Sequence, residues 1–199
     1  MVEQKRIIIF TRYPTPGETK TRLIPALGPE GAAQMQRTMT EHTVAVGRAA
    51  RSLLPAALLV RYTGAKEETM RKWLGNDLDY APQCSGDLGL RMQNALEEAF
   101  AEGAAKVVLV GIDCPDLDVD ILKAAFEKLE ERTVVFGPAE DGGYYLVGQR
   151  AFRPDVFDGI AWGTRKVFSQ SMQRARDLHI STGVLPILRD IDRPEDLAP

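Results

Sequence analysis

The sequence predicts an α/β protein built on a mostly parallel sheet with one antiparallel excursion. Three observations predict it. Lys5–Phe10 and Lys106–Ile112 are short apolar runs rich in β-branched residues, the pattern of strands buried on both faces. Such runs alternate along the chain with segments of helical periodicity. Only a short loop around Asp141 separates two further strand candidates, too little chain for a parallel crossover.

In the first strand, Lys5–Phe10, three isoleucines follow one another. Tyr13-Pro14-Thr15-Pro16-Gly17 ends it, because two prolines and a glycine in five residues continue neither strand nor helix. A helix is expected from Pro29 to Leu53, with Ala32, Met35, Met39, Val46, Ala50 and Leu53 on one face. Ala56–Tyr62 is the second strand, Lys66–Leu74 a short helix and Asp79–Cys84 the third strand. Leu88–Ala101 is a helix with Leu88, Met92, Ala95 and Ala99 in line. The strand Lys106–Ile112 leads to a helix capped by Asp118, which carries Leu122, Ala125, Phe126 and Leu129 on one side. Thr133–Phe136 and Tyr144–Val147 are strands. A helix from Thr164 to Leu178, with Thr164 as its N-cap, precedes a last strand at Val184–Leu188 and a helical turn at Glu195–Leu197. Trp73, Phe126 and Phe168 fall in helical stripes and are expected in the core.

A chain of 199 residues buries about 70% of its unfolded surface, enough for one core, and a single domain over 1–199 is expected. Lys and Arg number 25 against 28 Asp and Glu, a net charge of −3 that lacks the footprint of a general nucleic-acid binder. Two cysteines, Cys84 and Cys114, exclude a disulfide scaffold. With two histidines, His42 and His179, and no Cys/His cluster, a structural zinc site is not expected, and neither histidine is assigned a catalytic role. No run suits a signal-peptide core or a membrane span, so the expected compartment is the cytoplasm.

Open parallel sheets bind ligands beyond the carboxyl ends of their strands, so the residues after Phe10, Ile112 and Leu188 carry the functional argument. Arg12, Lys20 and Arg22 are three cations in eleven residues on a loop that also holds Gly17. A triphosphate needs this chemistry: guanidinium forks, an ammonium point charge and a backbone that offers N–H groups. The spacing is not that of a Walker A loop, and the same residues also suit a solvated surface loop; their place after the first strand favours function. Asp113 follows the Lys106–Ile112 strand where its side chain would project into the crevice. Asp190 and Asp192 point to one side if their segment is extended. Carboxylates from two distant segments over a phosphate site suit Mg²⁺ or Mn²⁺, which complete their shells with phosphate oxygens and water. Asp116 and Asp118 are read as caps and Asp196 as solvated.

Two glycine segments remain. In Ser85–Arg91, Gly86 and Gly89 would let backbone approach a base or ribose, which Asp87 or Arg91 would hydrogen-bond; Asp87 as a plain helix cap explains the segment as well. Asp141-Gly142-Gly143-Tyr144 is either a tight turn between strands or one wall of an acceptor pocket.

Six segments together resemble the nucleotide-diphospho-sugar transferase superfamily, and within it a prokaryotic family described as glycosyltransferase-like. They are Phe10–Leu23 (FTRYPTPGETKTRL), Gly86–Met92 (GDLGLRM), Gly111–Leu117 (GIDCPDL), Gly137–Gly148 (GPAEDGGYYLVG), Trp162–Thr164 (WGT) and Asp190–Leu197 (DIDRPEDL). The resemblance implies a three-layer, Rossmann-like nucleotide-binding fold. It implies that Lys20 and Arg22 clamp phosphate, that Asp113 is the central metal ligand with Asp192 the distal one, and that Gly86–Gly89 contact base and ribose. The mid-chain acids stand as Asp113-x-x-Asp116 where a typical glycosyltransferase has D-x-D. That departure favours nucleotidyl transfer from a nucleoside triphosphate to a small acceptor held near Asp141, Gly142, Gly143 and Tyr144. The alternatives are glycosyl transfer from a nucleoside diphospho-sugar and a nucleotide-binding protein without turnover.

Overall fold

The computed structural model describes residues 4–197. In chain order the elements are β1 (Lys5–Arg12), α1 (Ile24–Leu53), β2 (Ala56–Thr63), α2 (Glu67–Leu74), β3 (Asp79–Pro82), α3 (Leu88–Ala101), β4 (Lys106–Val110), α4 (Val119–Glu131), β5 (Val134–Pro138), β6 (Tyr144–Gln149), α5 (Val167–Asp177) and β7 (Thr182–Val184). Short 3₁₀ turns at Thr21–Leu23, Pro154–Phe157 and Pro194–Leu197 complete the list.

The seven strands form one sheet in the order β3-β2-β1-β4-β6-β5-β7. Only β6 runs against its neighbours β4 and β5; every other pair is parallel. Alternation along β1 builds both faces at once. Ile7 and Ile9 pack with α1, α2 and α4, while Ile8 and Phe10 pack with α3 and α5. The result is the expected three-layer arrangement, in which each fully buried Ile, Val or Leu contributes roughly 1.5–3 kcal/mol relative to exposure.

Local chemistry explains the helix starts. Asp118 accepts a hydrogen bond from Ile121 N at 2.8 Å and Asp87 one from Leu90 N at 2.9 Å, so both are N-caps. α1 is interrupted at Gly28, whose φ of 70° only glycine adopts freely, and its regular portion starts at Pro29 as expected.

Several expectations need correction. The last strand is Thr182–Val184, not Val184–Leu188; the later residues form a loop in which Leu188 makes an isolated parallel bridge to Ala139. α5 begins three residues after Thr164, which is not its N-cap: the Thr164 hydroxyl donates to Ala161 O and accepts from Lys166 N within the preceding turn. Leu53 is 68% exposed at the last residue of α1 and is not part of the core. Asp116 is exposed, and Asp118 alone caps α4. Asp196 is tied into its turn by the backbone N–H groups of Asp192 and Arg193, at 3.0 and 2.7 Å, which hold its carboxyl below the usual range. Among the described residues no helix is long and apolar enough to cross a membrane.

Candidate active site

Parallel strands β1 and β4 lie side by side and run the same way, so the segments that follow them emerge at one edge of the sheet. A cleft of about 430 Å³ opens there, lined by Arg12 and Arg22 from the first segment and Asp113 from the second. Asp141, Gly143 and Tyr144 of the β5–β6 turn, and Asp190 and Asp192 of the C-terminal segment, complete that part of its lining.

Backbone bonds bring the C-terminal segment in. Leu188 N donates to Pro138 O, Glu140 N to Leu188 O and Ile191 N to Asp113 O, at 3.1, 3.1 and 2.9 Å. These bonds explain how residues nearly 80 positions apart share one site. Asp190 then accepts from Asp141 N at 3.1 Å, so it belongs to the β5–β6 turn. Asp192 faces the basic loop instead, with Oδ2 2.5 Å from Arg22 Nη1.

Lys20 joins the two acidic segments. Its side chain is only 4% exposed, and Nζ lies 2.6 Å from Asp113 Oδ1 and 4.0 Å from Asp192 Oδ1. It also donates to Ile191 O at 2.5 Å. The Lys20 backbone is left-handed, φ 46° and ψ 42°, at a cost of roughly 1–2 kcal/mol for a side chain with a Cβ. Leu23 N donates to Lys20 O at 2.8 Å and fixes that turn. Arg22, on the turn, is 60% exposed and reaches the open cleft.

Arg12 ends β1, with Glu18 at 3.2 Å from its guanidinium. Beneath it lies a buried polar cluster. The Gln36 amide donates to Thr11 Oγ1 and to Arg12 O, at 3.3 and 3.0 Å, and the Thr11 and Thr40 hydroxyls are 2.7 Å apart. Gln83 holds the same strand end by donating to Thr11 O and Arg61 O, and its Oε1 accepts from Arg91 at 3.0 Å. Gln36, Gln83 and Thr11 line the cleft and were not singled out in the sequence, although polar residues at 36, 40 and 43 on a core-facing stripe are the signal that would have found them.

The glycine segments divide. Leu88, Arg91 and Met92 line the cleft, whereas Gly17, Gly86, Asp87 and Gly89 do not. Asp87 is a cap. Gly89 packs flat on Trp162, and a Cβ there would meet the indole at 2.5 Å. Gly17 is at a loop bend with φ 80°. Gly142 has φ 88° and rests on the Arg165 carbonyl, while Asp141 Oδ1 accepts from Gly143 N at 2.7 Å to tighten the turn. The Tyr144 ring faces the cleft between Phe136 and Trp162, while its hydroxyl turns inward beside Ser171, where burial raises its pKa.

The acids share one neighbourhood. Burial first, and then the Asp141 carboxylate, raise the pKa of Asp190. Burial likewise pushes the Cys114 thiol up, with Asp113, Asp190 and Asp141 adding to it and Lys20 opposing.

The family described as "Uncharacterized protein conserved in bacteria (DUF2064)" matches residues 43–164. No curated protein matches the sequence. Among solved structures, a "putative nucleotide-diphospho-sugar transferase" from Desulfovibrio desulfuricans G20 is 36% identical, with a TM-score of 0.90 over 98% of this chain and 85% of that one. The manganese complex of Rv0371C from Mycobacterium tuberculosis H37Rv is similar in fold at 15% identity and a TM-score of 0.57, covering 98% of this chain and 96% of that one. So is 4-diphosphocytidyl-2C-methyl-D-erythritol synthase from Anaerococcus prevotii DSM 20548, at 10% identity and a TM-score of 0.63 over 98% and 94% of the two chains. By sequence and by fold, the chain belongs to the DUF2064 family of bacterial proteins and to the nucleotide-diphospho-sugar transferase superfamily.

Proposed function

We propose that this protein transfers a nucleotidyl group from a nucleoside triphosphate to a small acceptor, as one domain over residues 1–199 working in the cytoplasm. The observation that carries the proposal is the contact of the Lys20 ammonium with Asp113 and Asp192 beside the open guanidinium of Arg22. Cations and carboxylates from three distant segments, gathered in a cleft at the ends of parallel strands, suit a polyphosphate and its counter-ion.

Arg12, Lys20 and Arg22 bind phosphate oxygens in this scheme, Arg22 as the exposed fork and Lys20 as a charge held from below. Leu88 and Arg91 meet the base or ribose, with Gly86, Asp87 and Gly89 shaping the backbone behind them, and Gly17 lets the loop bend. Asp113 and Asp192 would hold Mg²⁺ or Mn²⁺. The donor set fits, since such an ion takes one or two carboxylates and leaves its other positions to phosphate and water. When bound, the ion supplies neutralisation of charge on the phosphate oxygens. The manganese complex of one fold neighbour and the diphosphocytidyl product named for another favour a divalent cation and a nucleotide as the ligand classes. Catalysis is by positioning and electrostatics, so no side-chain nucleophile is required.

The acceptor lies against the β5–β6 turn, where Asp141, Gly143 and Tyr144 line the cleft and Gly142 bends the backbone. Two carboxylates, Asp141 and Asp190, lie together on this wall of the cleft. Their charge favours a hydroxyl-bearing acceptor over a phosphate or carboxylate. The name of the 36% identical relative favours a second reading, glycosyl transfer from a nucleoside diphospho-sugar.

Pyrophosphate release from each nucleoside triphosphate with Mg²⁺ and a panel of polyols and sugars tests the proposal. Release that depends on Asp113 and Lys20 supports it. Turnover of a nucleoside diphospho-sugar without pyrophosphate release moves the assignment to glycosyl transfer. Calorimetric nucleotide binding without any turnover makes the protein a nucleotide-binding module.

A further inference from the structure

We propose that Lys20 keeps a divalent cation off the Asp113 and Asp192 pair until a polyphosphate arrives, so that this site takes a cation–polyphosphate complex and not the free cation. The inference rests on the assignment of these two carboxylates as cation ligands.

Charge balance carries the argument. Asp113 Oδ1 is 2.6 Å from Lys20 Nζ, Asp192 Oδ1 is 4.0 Å from the same nitrogen, and Asp192 Oδ2 is 2.5 Å from Arg22 Nη1. Two carboxylates are thus matched by two cations. A free divalent ion approaching them meets a buried ammonium and an exposed guanidinium, each already in contact with a carboxylate.

Lys20 cannot simply swing aside. It is 4% exposed, its backbone is fixed in the left-handed region, and the Ile191 carbonyl takes another of its protons at 2.5 Å. An ammonium has three protons to place and no acceptor of its own. A polyphosphate changes the balance, because its oxygens can accept from Lys20 and Arg22 and its negative charge offsets both. The carboxylates are then released toward the cation that the polyphosphate carries. Asp141 and Asp190 also line the cleft and would attract a cation, so any gain on removing Lys20 must be traced to Asp113.

The test uses Mn²⁺ alone with the nucleotide-free protein at neutral pH, read by calorimetry and by the electron paramagnetic resonance signal of free Mn²⁺. Lys20→Gln and Lys20→Met remove the charge with and without a polar end, and thermal melts confirm that each variant folds. Lys72→Met is the control, an exposed cation paired with Glu68 that makes the same change in net charge. Both Lys20 variants are expected to bind Mn²⁺ at least about tenfold more tightly than the wild type, a gain lost in Lys20→Gln/Asp113→Asn and absent in Lys72→Met. Wild type that binds Mn²⁺ as tightly as the variants, through Asp113, overturns the exclusion by Lys20 and leaves the carboxylates as cation ligands. No Asp113-dependent binding in any variant overturns both.

Discussion

Gly89 lies flat against the indole of Trp162, so close that a methyl group on Gly89 would meet Nε1 at 2.5 Å. The contact joins the start of α3 to the wall of the cleft. Trp162 in turn stands edge-on to Tyr144, with ring centroids 6.3 Å apart. Gly89→Ala should therefore push Trp162 into the cleft and destabilise the fold by roughly 1–3 kcal/mol, the usual cost of overpacking. Denaturant unfolding reads the stability and a shift in tryptophan emission reads the ring. Unchanged emission would mean that the wall yields without moving Trp162.

Gly142 should tolerate a side chain even less. Its φ is 88° and an added Cβ would fall 2.2 Å from the Arg165 carbonyl oxygen, a backbone atom that cannot rotate away. Gly142→Ala is expected to cost at least about 2 kcal/mol in chemical denaturation and to shift Asp141 out of the cleft. A variant as stable as the wild type would show that this turn is held less firmly than the contact implies.

Lys20→Ala is expected to lower turnover about 100-fold or more with whatever donor the protein uses, since removing one preorganised charge at a developing anion costs that much. The fold should survive, because alanine leaves no buried charge and Asp113 is half exposed. Steady-state kinetics on a folded variant measures this, and unaltered turnover would take Lys20 out of the phosphate clamp.

Away from the cleft, Asp77 accepts from Arg48 at 2.9 and 2.6 Å and from Arg51 at 3.2 Å. The Arg48 hydrogen bonds hold its carboxyl at about 2 in the folded protein. Because the folded value lies below the unfolded one, the contribution is complete above about pH 4 and fades as pH falls toward about 2. Asp77→Asn should melt lower at neutral pH, and the gap to wild type should close across that acid window. A gap that stays constant down to the lowest pH would remove Asp77 as its source.

The two cysteines should differ in reactivity. Cys114 is buried, and burial together with the surrounding aspartates raises its pKa, whereas Cys84 is only half-buried. At about pH 8 a thiol reagent should label Cys84 first and Cys114 only on unfolding, because the thiolate is the reactive form. Mass mapping of the labelled sites decides it; equal rates would mean that the floor of the cleft opens readily.

The sequence was most legible where one local rule had no competitor. The isoleucines of β1 and the valine-rich β4 are apolar through and through, and they are the two central parallel strands. Asp118 and Asp87 cap helices as their positions suggested. The rule weakened at the ends of elements. Val184–Leu188 is as apolar as a strand, yet regular pairing stops at Val184: Leu185 still donates to Phe136 O, Pro186 has no N–H to offer, and Leu188 makes only an isolated bridge. Thr164 has the chemistry of a cap but spends its hydroxyl on its own turn.

Of the candidate site, the residue types and their loops were visible in the chain, but their contacts were not. By itself the sequence determined the α/β class, the cationic loop after the first strand and the acids that follow β4 and end the chain. Tertiary structure alone decided that Lys20 stands between Asp113 and Asp192, that Asp190 turns to the Asp141 loop, and that Gly89 serves Trp162. Hydrophobic pattern and capping act over a few residues, so they are written locally. The approach of position 20 to positions 113 and 192 depends on strand order, and strand order emerges only when the whole sheet is assembled.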